Sequence, residues 1–175
     1  NGWKAQLLRE LYASAEEVLR LGHKTVGRQE RIEAKQKALA AELGWDAAVF
    51  DAYRTRFFDA YWIAEPEDVL ALNAAQVHEA DEAGQPMSIA TVVDKEAGTT
   101  LVSLYAADHP GLFYRLAGAI SLAGANILGA RIHTTRDGMA LDNITIECAA
   151  GGAFDEPDQL ERLRQTITDT LAGKV

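Results

Sequence analysis

Four consecutive residues, Asp108-His109-Pro110-Gly111, bring together an acid, an imidazole, a fixed φ and a position without a side chain. They stand between an apolar run, "TTLVSLYAA", and a Gly/Ala-rich run, "LFYRLAGAISLAG". Pro110 has no N–H and belongs at the start of a helix. Gly111 lets a backbone or a ligand come close. The free N–H groups beyond it make a donor-rich, positive helix end that suits a carboxylate. Asp108 can hold an ammonium group, and Asn126, further along, can read a side-chain amide. An architectural reading accounts for the same residues. In it Asp108 caps the helix, Asn126 is a turn residue after Gly124, and Gly118, Ala119, Ala123 and Gly124 are small so that the helix can lie close to a sheet. Spacing alone leaves both readings open.

Chemistry elsewhere is sparse. His23, His78, His109 and His133 show no HxxxH or HxH spacing. The single cysteine, Cys148, excludes an internal disulfide and a multi-thiolate metal site. It fits a reducing compartment and reads as a small core hydrophobe. Nucleotidyl transfer needs paired carboxylates for Mg²⁺ near a Gly-Ser phosphate turn; no Gly-Ser followed by Asp-x-Asp occurs, and no His-Asp pair occurs. No catalytic residue, metal site or cofactor is expected in this segment. The net charge of −9 disfavours nucleic acid as a partner. No run of 18 apolar residues predicts a membrane span, and no signal-peptide pattern is visible, so a cytoplasmic location is expected.

The positioning elements follow from periodicity. Trp3 to Leu21 carries apolar residues at three- and four-residue steps and reads as a helix. Gly22 and Gly27 bracket a break. Arg28 to Leu43 reads as a charged helix with a thin stripe of Ile32, Leu39 and Leu43, stopped by Gly44; its charged run to Lys37 reads as a solvated face. Asp46 can cap a third helix with Val49, Phe50, Tyr53 and Phe57. Tyr61 and Trp62 extend it, and Pro66, Glu67 and Asp68 suit another helix start. Trp3, Trp45 and Trp62 read as packing anchors.

At Pro86 the period changes to two. "MSIATVVD" and "TTLVSLYAA" predict two strands joined by "KEAG". Gly111 to Ala123 predicts a helix and Asn126 to Thr135 a strand. "RDG" is a tight turn that suits type I′, Met139 to Ala149 is the next strand, and Glu156 to Ala172 a final helix. The fold class is α+β: an all-helical segment over 1–85, then a β-β-α-β-β-α unit over 86–175. Without its first strand this unit is ferredoxin-like but lacks the last strand; Met87 to Asp94 is expected to fill that edge slot. Parity places Val102, Leu104, Ala106, Leu128, Ala130, Ile132, Ile144, Ile146 and Cys148 on a face packed by two helices. Ser103, Tyr105, Arg131, His133, Asn143, Thr145 and Glu147 lie on a half-wet opposite face.

The stretch "LYAADHPGLFYRLAGAISLAGANILGARIHTTRDGMALDNITI" closely resembles an ACT domain, a ferredoxin-like regulatory module that binds amino acids. The Asp-x-Pro-Gly-Leu turn, the small-residue helix, the Ala-Asn-Ile strand start and the Asp-Gly hairpin carry the match. Upstream, "NGWKAQLLRELY" and "RIEAKQKAL" resemble the segment after the HD domain in the family of bifunctional PII uridylyltransferase/uridylyl-removing enzymes. The chain opens Asn1-Gly2-Trp3 and is read as a piece of such a longer protein, holding the helical tail and the first of two ACT domains.

The resemblance implies a glutamine sensor. Its parent enzyme would add UMP to, and remove it from, the PII signal protein, using UTP and Mg²⁺ at sites outside this segment. The ligand residues it implies are Asp108, His109, Pro110, Gly111, Leu112, Asn126 and Ile127. A homodimer partner or a second ACT domain is expected to complete the site. The competing functions are a structural or PII-docking module without a ligand, and the regulatory ACT domain of another amino-acid enzyme. An RNA-binding ferredoxin-like domain is disfavoured, because the sheet lacks the stacked aromatic pair such domains use.

Overall fold

The computed structural model describes residues 25–174 together with Gly2, Gln6 and Arg9. The helix expected over Trp3 to Leu21, with its anchor Trp3, therefore falls outside the described residues apart from Gln6 and Arg9. Helix α1 spans Thr25–Leu43, α2 Ala47–Arg54, α3 Asp59–Ala64 and α4 Glu67–Glu82. Strands β1 (Met87–Asp94) and β2 (Thr99–Ala107) precede α5 (Leu112–Leu122). Strands β3 (Ala125–Thr134) and β4 (Met139–Cys148) and helix α6 (Pro157–Leu171) follow. None of the described helices is long and apolar enough to cross a membrane.

The starts and stops have local causes. Gly44, at φ +62°, ends α1, and the Asp46 side chain accepts from the Ala48 N–H to cap α2. Glu156 and Gln159 form a capping box at α6. Two expectations fail. Gly27 does not mark a break: α1 begins at Thr25 and runs through it, and a first-turn glycine in ordinary φ costs a helix only about 1 kcal/mol. The β3–β4 turn is not type I′, which needs positive φ at both central residues, whereas here only Gly138 has it. Gly138 N–H donates to Thr135 O at 3.1 Å and Thr135 N–H to Met139 O at 2.8 Å. This is a three-residue loop with Gly138 in the left-handed position.

The strands form one antiparallel sheet in the order β1-β2-β4-β3. β1 occupies the edge beside β2, the slot that a ferredoxin-like unit gives to its last strand. One face carries Val102, Leu104, Ile144 and Ile146, buried against Leu112, Leu116, Ile120, Leu163 and Ile167 of α5 and α6.

Strand β3 keeps the expected parity at Ala130 and Ile132, which pair with Ile144 and Asp142, and loses it at Leu128. Its register shifts between Ile127 and Gly129, so Leu128 is the extra residue of a bulge. The core contacts of β3 come from Ala125 and Ile127. Leu128, Ala130 and Ile132 are exposed, because β3 is the edge strand and the helices do not reach across it.

The other face is not half-wet. The helical segment of the same chain lies on it, and Ser103, Tyr105, Leu141 and Asn143 are buried. Tyr105 and Leu141 belong to a second core with Ile32, Tyr61, Trp62, Leu70 and Val77. The polar residues of this face are satisfied across the interface. Asn73 of α4 donates to Ser103 Oγ and Asn143 Oδ1, each at 3.0 Å, and accepts from Tyr61 Oη and Asn143 Nδ2, each at 2.9 Å. Gln76 donates to the Ser88 and Ser103 carbonyls. Polar residues at period two therefore meet a helix that carries matching amides, rather than water.

Candidate ligand-binding site

The turn after β2 is built from its own backbone. Leu112 N–H donates to His109 O at 3.2 Å, and Gly111 sits at φ +82°, ψ 0°. These are the marks of a type II turn with Pro110 and Gly111 at its centre. Pro110 is therefore placed before the helix, not in its first turn, and Gly111 is the N-cap of α5. No side chain caps this helix. The architectural reading of Asp108 as cap does not hold: its carboxylate accepts instead from Thr134 Oγ1 at 3.4 Å. Its backbone N–H donates to Gly138 O at 3.0 Å and ties the turn to the β3–β4 hairpin.

Asp108 through Gly111 are exposed. His109 Nδ1 lies 3.0 Å from Pro110 O. Leu112 is buried and Ile127 half-buried in the core below α5, so their side chains serve packing. Asn126 is exposed at the start of β3, paired with Glu147.

The structure brings Asp108, His109, Pro110 and Gly111 together and holds Asn126 apart. Asp108 contacts Thr134 at the far end of β3. Eight strand steps separate Thr134 from Asn126, roughly 26 Å at 3.3 Å per residue. A single copy cannot present both to one small ligand.

One acid near the turn belongs to no sequence motif. Asp142 of β4 is 1% exposed and pairs with Leu104 on one side and Ile132 on the other. Its Oδ1 has no hydrogen-bond partner. Burial, reinforced by the charge of Asp108, pushes its carboxyl up to about 6. The sequence did contain a cue: along the helix-facing positions Ala140, Asp142, Ile144 and Ile146, only Asp142 is charged.

On the opposite face Glu65, fully buried, accepts from Arg131 Nε at 2.6 Å and contacts His133 Nε2 at 2.9 Å. Burial opposes its ionisation, but the bonds from His133 and Arg131 outweigh it and hold its carboxyl below the usual range. Lys35 closes the same corner, donating to the carbonyls of Trp62 and Glu65; it is not merely part of a solvated run. Nearby, Arg56 bonds Asp81, Asp137 and Tyr105 Oη, and Arg136 N–H donates to Arg56 O. The hairpin that holds the Asp108 turn thus also grips the α2–α3 junction. Among the described residues no group of three or more His, Cys, Asp or Glu side chains is placed to hold a metal.

A four-stranded sheet with two helices on one face, and an uncapped helix start after its second strand, is the frame of one regulatory module. Residues 100–168 match the ACT domain family. The chain carries an ACT domain.

The rest of the chain is matched as well. It is 51% identical over 175 residues to a bifunctional uridylyltransferase/uridylyl-removing enzyme of Novosphingobium aromaticivorans, covering all of this chain and 19% of that protein. It is 49% identical over 174 residues to the enzyme of the same name from Erythrobacter litoralis, and 43% over 178 residues to that from Zymomonas mobilis, again 19% of each relative. The chain spans about a fifth of the length of the curated relatives it matches. In each relative the aligned stretch runs across both the helical segment and the ACT domain of this chain.

Proposed function

We propose that this chain is the glutamine-sensing regulatory segment of a cytoplasmic enzyme that uridylylates and deuridylylates the PII signal protein, with UTP and Mg²⁺ used outside this segment. One observation carries the binding half of the reading. The start of α5 is exposed and uncapped by any side chain, behind a turn whose glycine leaves open space, an arrangement that favours a carboxylate ligand. The relatives' names support the enzymatic half.

The wide separation of Asn126 from the turn supports a site made by two copies, or by this ACT domain and a second one. β3 is an edge strand with Leu128 and Ile132 exposed, which favours pairing with another strand. Antiparallel pairing of two β3 strands centred near Ala130 sets Asn126 of one opposite Thr134 of the other, next to the Asp108 turn. The ligand's carboxylate then meets α5 of one copy and its side-chain amide meets Asn126 of the other.

The test is the glutamine response of the uridylyl-transfer and uridylyl-removal activities in the full enzyme. Gly111→Val and Asn126→Ala are each expected to abolish it while leaving glutamine-free activity in place. An unchanged response in both variants would favour a structural or docking role for the segment.

A further inference from the structure

The acid left unsatisfied near the turn has a consequence for ligand choice. A buried carboxylate without an ion-pair partner is costly; the charge of His133 offsets burial and the charge of Asp108 only in part, and every other helix-facing residue on β4 from Ala140 to Ile146 is apolar and buried. Packing therefore gives no reason for Asp142. Its surroundings do. It lies close enough to Asp108 to feel that charge, and its paired neighbour Ile132 is 46% exposed at the sheet edge. The backbone N–H of His133 supplies one hydrogen bond, and Oδ1 is left free. The donor-rich start of α5 and this free acid oxygen thus belong to the same end of the sheet. Together they offer complementary partners to the two charges of a zwitterion.

We propose that Asp142 recognises the ammonium group of the ligand, so that the site selects α-amino acids over carboxylates that lack the amino group. The proposal rests on the amino-acid-binding reading above and adds the residue that reads the positive charge. Asp108, exposed and already engaged with Thr134, orients the turn. Asp142 discriminates, because an ion pair formed where water is excluded is stronger than one at the surface. At neutral pH the Asp142 carboxyl is mostly ionised, and the arriving ammonium supplies the ion-pair partner that it lacks in the free protein.

The experiment uses two probes on the full enzyme: glutamine, and its des-amino analogue glutaramate, which keeps the carboxylate and the side-chain amide. Binding is measured by calorimetry at several pH values. The wild type is expected to prefer glutamine by about tenfold or more at pH 7.5. That preference shrinks toward pH 5, as the Asp142 carboxyl protonates, while glutaramate binding stays level. Asp142→Asn is expected to lose the preference and retain glutaramate affinity, which also reports that the variant is folded. A preference for glutamine kept by Asp142→Asn, or absent from the wild type, overturns the proposal and leaves the amino-acid site standing. Failure of the wild type to bind either probe overturns both.

Discussion

Asp142 and Glu65 are buried carboxylates on opposite faces of one sheet, and their surroundings push them in opposite directions. Glu65 is held below its ordinary range by two cationic donors. It contributes stability that is present above the unfolded-state value of 4.5 and is lost as pH falls through its lower folded value. Glu65→Gln is expected to cost about 3 kcal/mol at pH 7, seen as a lower midpoint in urea, with the gap to wild type closing in acid. Asp142 is raised from 3.8 to about 6, so the folded state gains from its protonation. Its contribution is fully favourable below 3.8 and is lost as pH rises through 6. Asp142→Asn is expected to be more stable than wild type at pH 7 by about 1–2 kcal/mol and no more stable near pH 4. Thermal melts across that window check the sign. A gain in stability at neutral pH fits a residue kept for binding.

At the scale of elements, the strands and turns were legible because period two is interrupted by glycines. β1 and β2 fall on the residues expected, Met87–Asp94 and Thr99–Ala107, and Gly98 and Gly138 take the positive φ their turns need. Two features were not legible. The bulge at Leu128 adds a residue without changing composition, so alternation alone put Leu128 in the core. The cover over the polar face could not be read from alternation either, since Ser103 and Asn143 look the same whether they face water or the amide of Asn73. That amide is the pivot of the interface between α4 and the sheet. Asn73→Leu would leave the buried groups of Ser103 and Asn143 without this partner, at a cost of about 2–3 kcal/mol. For a chain of this size the melting temperature should fall by about 5–10 °C, measurable by calorimetry.

On the scale of the whole molecule, the helices and the ACT domain are joined by a shared core and by the Glu65 and Arg56 clusters, so movement of the β3–β4 hairpin acts on both. This explains why the proposed site residues were only half legible. The Asp108 turn is local in sequence and could be read as a unit. Its relation to Asn126 depends on an edge strand meeting another strand, and its relation to Asp142 on sheet register, which no local pattern encodes. If the edge is the meeting surface, Ile132→Glu places a charge in it. That variant is expected to shift the chain toward monomer in sedimentation and to weaken glutamine binding by at least about tenfold, without unfolding, since Ile132 is already exposed.

The most direct measurement is a calorimetric titration of this chain with glutamine at millimolar concentration, with its oligomeric state recorded in the same sample. Saturable heat is expected from the paired form, approaching one glutamine for each ACT domain, and none from the Ile132→Glu monomer. No heat from a confirmed pair of ACT domains would contradict that expectation.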